Sequence, residues 1–104
     1  MAQMNMQKMM QEARRMQEEV ARAQEEVALL EAEGSAGGGV VKAVASGDGR
    51  VKRIIMDPST VDPDDVEMLE DLTLAAVNDA LNNVGELANL RMEAATGGFN
   101  IPGM

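Results

Sequence analysis

The sequence has no cysteine, no histidine, no tryptophan and no tyrosine, and its only aromatic residue is Phe99. Each absence closes a class of chemistry. Without cysteine there is no disulfide framework, no thiolate nucleophile and no Cys-ligated metal. Without histidine the commonest general base and the commonest metal ligand are gone. A single ring offers no row of aromatic faces on which single-stranded bases could stack. No apolar run approaches the roughly 18 residues that a membrane-spanning helix needs. The opening MAQMNMQKMMQEARR scatters Gln and Asn among its methionines and lacks a small-residue cleavage site, so it does not read as a secretory signal. Carboxylates are plentiful, but Asp62, Asp64, Asp65, Glu67, Glu70 and Asp71 lack the spacing and the glycine of a calcium loop. SAGGGV at 35–40 lacks the Lys-Ser/Thr of a phosphate-binding loop. These absences predict a cytoplasmic protein that is not an enzyme, with no cofactor, no metal, no small-molecule substrate and no membrane span.

What is there is charge, unevenly placed. The net charge is -9, yet residues 1–56 hold eight Lys/Arg against eight Asp/Glu, and residues 57–104 hold ten carboxylates and one cation, Arg91. An acidic total argues against indiscriminate binding of polyanions. It does not exclude a local basic face, because screening confines each charge to roughly 10 Å at ordinary salt.

The 104 residues make one domain, 1–104, with a modest core unless a second copy adds to it. From Met4 to Glu33 no Gly or Pro interrupts a run of strong helix formers, which predicts a helical arm over 1–33. Met6, Met9, Ala13, Met16, Val20, Ala23, Val27 and Leu30 recur in alternating steps of three and four, the seam of a coiled coil. Such a helix reaches about 45 Å, whereas a globule of this size has a radius of gyration near 13 Å, so it projects. SAGGG at 35–39 breaks it. Over 34–58, VVKAVAS and RVKRIIM flank Gly47-Asp48-Gly49 and predict a β-hairpin, ended by Asp57-Pro58. A second helical region is predicted over 62–96, with Asp62 as N-cap and Pro63 in its first turn. Leu69, Leu72, Ala76, Val77, Ala80, Leu81, Val84, Leu87 and Ala88 form its buried stripe. GGFNIPGM at 97–104 is expected to be a flexible tail.

This order of elements, together with DPS at 57–59, MLEDL at 68–72 and the AA-x-NDA of 75–80, resembles the YbaB/EbfC family of bacterial nucleoid-associated proteins. The resemblance covers essentially the whole chain. It implies an α/β fold of the α+β kind, with a long N-terminal helix, a small antiparallel sheet with a hairpin, and a long C-terminal helix. It also implies a homodimer joined through the sheet and second helix, with projecting helical arms. It further implies a nucleoid-associated protein of the bacterial cytoplasm that binds duplex DNA, has no enzymatic activity and takes part in nucleoid organisation and gene expression.

Two groups of cations are candidates for contact with DNA. Lys8, Arg15 and Arg22 share one heptad position on the outer face of the first helix, with Arg14 beside them. They span about 21 Å along the axis, enough to meet phosphates on both sides of a groove about 12 Å wide. The bland alternative is a solvated face, because Glu12, Glu19 and Glu26 each follow one of these cations by four residues. The second group is Lys42 with Arg50, Lys52 and Arg53 on the hairpin, where no carboxylate falls between Arg50 and Asp57. Some of that charge guards an edge strand against aggregation; four cations on one hairpin exceed that need. The rival reading of the whole chain is a coiled-coil interaction or scaffold protein with incidental DNA affinity.

Overall fold

The computed structural model describes residues 2–97, with side chains from Asn5 onward. Its elements, in chain order, are α1 (Ala2–Leu29), β1 (Glu31–Ala36), β2 (Val41–Ser46), β3 (Val51–Met56), a 3-10 turn at Pro58–Thr60, and α2 (Val66–Ala95). The fold is α+β, as expected, with a three-stranded antiparallel sheet in the order β1-β2-β3. Principal extents of 77 × 26 × 16 Å and a radius of gyration of 20.5 Å show that α1 projects. Beyond Gly97, the expected tail lies outside the described residues.

The first departure from the sequence reading is β1. The helix expected to run to residue 33 closes at Leu29, where the Leu30 N–H donates to the Val27 carbonyl. Glu31–Ala36 then pair with β2, from Glu31 opposite Ser46 to Ala36 opposite Val41. Glu-Ala-Glu favours helix locally, but β propensity yields to context. The context here is a partner strand on one side and α2 on the other. The Ser35 N–H donates to Asp79 Oδ2 at 3.0 Å, and Asn83 Nδ2 donates to the Glu33 carbonyl at 2.9 Å. These side chains satisfy backbone groups that an edge strand otherwise leaves open. The glycines read as a helix breaker are the turn between β1 and β2: Gly37, Gly38 and Gly39 have φ of 63°, 75° and 98°, where a side chain would be strained.

The hairpin of β2 and β3 forms as expected, with one irregularity. Val44 lies opposite Arg53 and Ala45 opposite Val51, so Lys52 is the extra residue of a bulge. The bulge restores the alternation, placing Val51, Ile54 and Met56 beside Ala45, Ala43 and Val41 on the face that looks toward α2.

The core is thin and made of small residues. Val41, Ala43 and Ala45 meet Ala76, Ala80 and Val84 of α2, with Leu30, Leu69 and Leu72 packed around them. Small side chains let α2 lie close to the sheet, but its path crosses β1 and β2 and barely reaches β3. Every residue of β3 is exposed as a result. The second departure concerns the start of α2. Asp65, not Asp62, is its N-cap, accepting from the Met68 N–H, while Asp62 accepts from the Asp64 N–H in a separate turn. Two carboxylates serve two successive turns, and the helix starts at the one adjoining the apolar periodicity.

Candidate nucleic-acid interface

On α1 the helical repeat sets Lys8, Arg15 and Arg22 in a row with Arg14 to one side, and all four are exposed. Among the described residues, none of the four has a carboxylate within 4.0 Å. The pairs with Glu12, Glu19 and Glu26 do not form. At a spacing of four, cation before carboxylate is the weaker order, and Glu18, which precedes Arg22 in the favourable order, is not within 4.0 Å of it either. Toward its N-terminal end α1 also leaves its seam open, with Met9 68% exposed, whereas Ala23 is fully buried where α2 packs on it.

The hairpin cations stand differently. Lys42 Nζ lies 3.8 Å from Glu33 Oε1, Arg53 NH2 lies 3.5 Å from Glu31 Oε1, and Arg50 Nε lies 3.8 Å from Asp48 Oδ2. Lys52, at the bulge, has no such partner among the described residues. No carboxylate falls between Arg50 and Asp57 in sequence, but the fold brings in partners from outside that span: Asp48 of the turn, and Glu31 and Glu33, which the sequence predicts to be helical. The alternation of Glu31, Glu33 and Ser35 with small residues was the signal that could have revealed a strand and put two acids beside the cations.

Where the arm meets the body, Arg91 of α2 donates through Nε to Glu26 Oε2 at 2.6 Å. Arg91 is therefore not an idle charge in an acidic half but the ionic link between the two helices. That hydrogen bond, with the charges of Arg91 and Arg22, holds Glu26 below the usual carboxylate range. Asp48 is lowered by the Ser46 hydroxyl, and Asp57 by the Ser59 N–H and then its hydroxyl. A carboxylate held low in the folded state contributes stability that is complete above its unfolded value and is lost as pH falls through the folded one. Arg91→Gln is therefore expected to lower the urea midpoint at neutral pH, by a difference that disappears once pH drops below the carboxylate range. A difference that persists undiminished in acid would show that Arg91 acts by packing and not by its charge.

On the other side of α2, Met56 of β3 joins Val66, Leu69, Glu70, Thr73, Leu74 and Val77 along an open, mainly apolar groove of about 510 Å³. No group of three or more Asp or Glu among the described residues is placed to hold a metal ion. No described helix is long and apolar enough to cross a membrane.

The family model of the YbaB/EbfC DNA-binding family matches residues 1–99. The chain belongs to the YbaB/EbfC DNA-binding family. It is 57% identical over 100 residues to a nucleoid-associated protein of Staphylococcus carnosus, covering 96% of this chain and 95% of that protein. It is 52% identical to one from Desulforamulus reducens, again over 96% and 95% of the two chains. A third, from Geobacillus kaustophilus, is 54% identical over 96% of this chain and 93% of its own. The residues by which the sequence resembles the YbaB/EbfC family are largely those that seat α2 on the sheet. Leu69 and Leu72 pack at the core margin, Ala76 and Ala80 lie within it, and Asp79 holds the backbone of β1.

Proposed function

We propose that this chain is a homodimeric nucleoid-associated protein of the bacterial cytoplasm, which binds duplex DNA through phosphate contacts with little reading of base sequence. The observation behind this reading is the exposed row of Lys8, Arg15 and Arg22, with Arg14, in which no cation is ion-paired among the described residues, on a projecting helix of a DNA-binding family member. Lys42, Arg50, Lys52 and Arg53 of the hairpin are further contacts in this reading, although Lys42, Arg50 and Arg53 each have a carboxylate beside them. Cations on a helix meet phosphates without needing a fixed base register, and phosphates carry no sequence information. Titration of random duplexes at several salt concentrations tests the reading. The logarithm of affinity should fall linearly with the logarithm of salt, by roughly 0.9 per phosphate contact, and unrelated duplexes should bind about equally. A salt-independent affinity, or tight binding confined to one sequence, would overturn it.

Dimerisation is supported by the surface that α2 leaves open. β3 has a free edge among the described residues, its Met56 at the groove is 37% exposed, and Leu74 across the groove is 61% exposed. An apolar groove beside an unpaired edge fits a second copy of the same surface. Leu74→Glu with Val77→Glu is expected to lower the mass at micromolar concentration toward the 11.1 kDa of one chain, with reduced stability, since the core is small. Sedimentation at an unchanged dimer mass would place the interface elsewhere. The exposed stripe of Met6, Met9 and Met16 on the arm favours the second reading, in which the arms grip another protein and DNA affinity is incidental.

A further inference from the structure

The ion pairs on the sheet point to a role for two acids that the DNA-binding reading alone does not assign. The register sets Glu31, Glu33 and Ser35 of β1 on the same face as Lys42 of β2 and Arg53 of β3, the face away from α2. Glu33 lies opposite Val44, diagonal to Lys42; Arg53 lies on the other side of Val44, and Glu31 reaches toward it across the sheet. Neither acid is free to drift, because the backbone of β1 is fixed on one edge by β2 and on the other by Asp79 and Asn83. Both pairs are long, at 3.8 and 3.5 Å, and their side chains are 42% to 57% exposed. Exposed pairs of this kind are worth little and are readily exchanged.

We propose that Glu31 and Glu33 are built-in competitors of phosphate at Lys42 and Arg53, and that they set how strongly the sheet face engages DNA. This rests on the reading of the chain as a phosphate-contacting DNA binder and adds to it a pair of positioning residues that act through the cations they hold. A phosphate arriving at either cation displaces a carboxylate as well as solution counterions. The acid then faces the phosphate at close range, so the exchange costs affinity. The arm cations, which have no such partners among the described residues, carry the larger share of binding in the parent chain.

The test is a gain of binding. Glu31→Gln with Glu33→Gln keeps size and hydrogen-bonding capacity while removing both charges. It should tighten binding to random duplex DNA about three- to tenfold, on the scale of two exposed ion pairs, and steepen the salt slope by up to roughly 0.9 for each cation released. Each single variant should give part of this effect, so the test survives if the double variant folds poorly. Adding Arg53→Gln to Glu31→Gln should abolish the gain from Glu31→Gln. A control of Glu86→Gln with Glu93→Gln changes net charge equally at two exposed positions of α2 and should leave the slope as it was. The inference is overturned if the β1 variants tighten binding no more than this control, or if the slope does not change. In that event the salt slope of the parent chain still stands as the measure of DNA binding. If the parent chain itself fails to bind duplex DNA at low salt, the proposal falls together with the reading beneath it.

Discussion

Replacing Gly34 with alanine is expected to destabilise the protein by about 3 kcal/mol, at the upper end of the usual cost of overpacking. This corresponds to a fall of about 15 °C in melting temperature for a domain of this length. A β-carbon built on Gly34 would sit on the backbone N–H of Ala80 and 2.5 Å from the Ala76 carbonyl oxygen. Both are main-chain atoms of α2, so no rotamer change relieves the clash and a smaller side chain at position 80 cannot rescue it. The helix must lift from β1, which opens the contacts among Ala43, Ala76 and Ala80 and strains the hydrogen bonds that Asp79 accepts from Ser35 and Asn83 donates to Glu33. The informative comparison is Gly85→Ala. Among the described residues nothing outside the helix's own neighbouring backbone lies within 4 Å of a β-carbon there, and alanine in a helix interior is worth up to about 1 kcal/mol over glycine. One added methyl should therefore lower the melting temperature at position 34 and raise it at position 85. Equal melting temperatures for the parent and Gly34→Ala would mean that α2 does not rest on β1 as closely as described.

Gly34 also shows where sequence reasoning stopped. The two helices and the hairpin were legible because their signals are local: the three-and-four spacing of Met6 to Val27, the β-branched runs around Gly47-Asp48-Gly49, and the stripe from Leu69 to Ala88. β1 was not legible. Its residues, EAEGSA, include helix formers, and its strand conformation depends on β2 and α2, which a reading of adjacent residues does not see. That one omission had consequences for the candidate site. With Glu31 and Glu33 assigned to a helix, Lys42 and Arg53 looked unopposed, while Arg91 looked isolated because its partner Glu26 is far away in sequence. The arm fared better, since a helix fixes which residues share a face by number alone. Even there the sequence left open whether Glu12, Glu19 and Glu26 neutralise the cations, a matter settled by side-chain direction and by Arg91.

Lys8→Gln, Arg15→Gln and Arg22→Gln together are expected to weaken binding to every duplex tested by about tenfold to a hundredfold at moderate salt, and to flatten the salt slope by up to about 2.7. The three side chains share one face of α1 and are exposed, and among the described residues no carboxylate lies within 4.0 Å of any of them, so no ion pair has to be broken before they meet phosphate. Glutamine forms helix nearly as well as lysine and arginine, so the arm should keep its shape while losing its charge. A uniform loss across sequences follows from contact with phosphates, which are the same at every base step. Arg91→Gln is not a neutral control for this experiment, because it breaks the link to Glu26 and loosens the arm at its root. Its expected signature is a lower stability with little change in slope. If the triple variant stays folded and keeps the parent's oligomeric state, yet binds DNA with unchanged affinity and slope, the arm does not contact phosphate. The exposed methionine stripe beside those cations would then be the better guide, and a protein partner the better reading of what the arm holds.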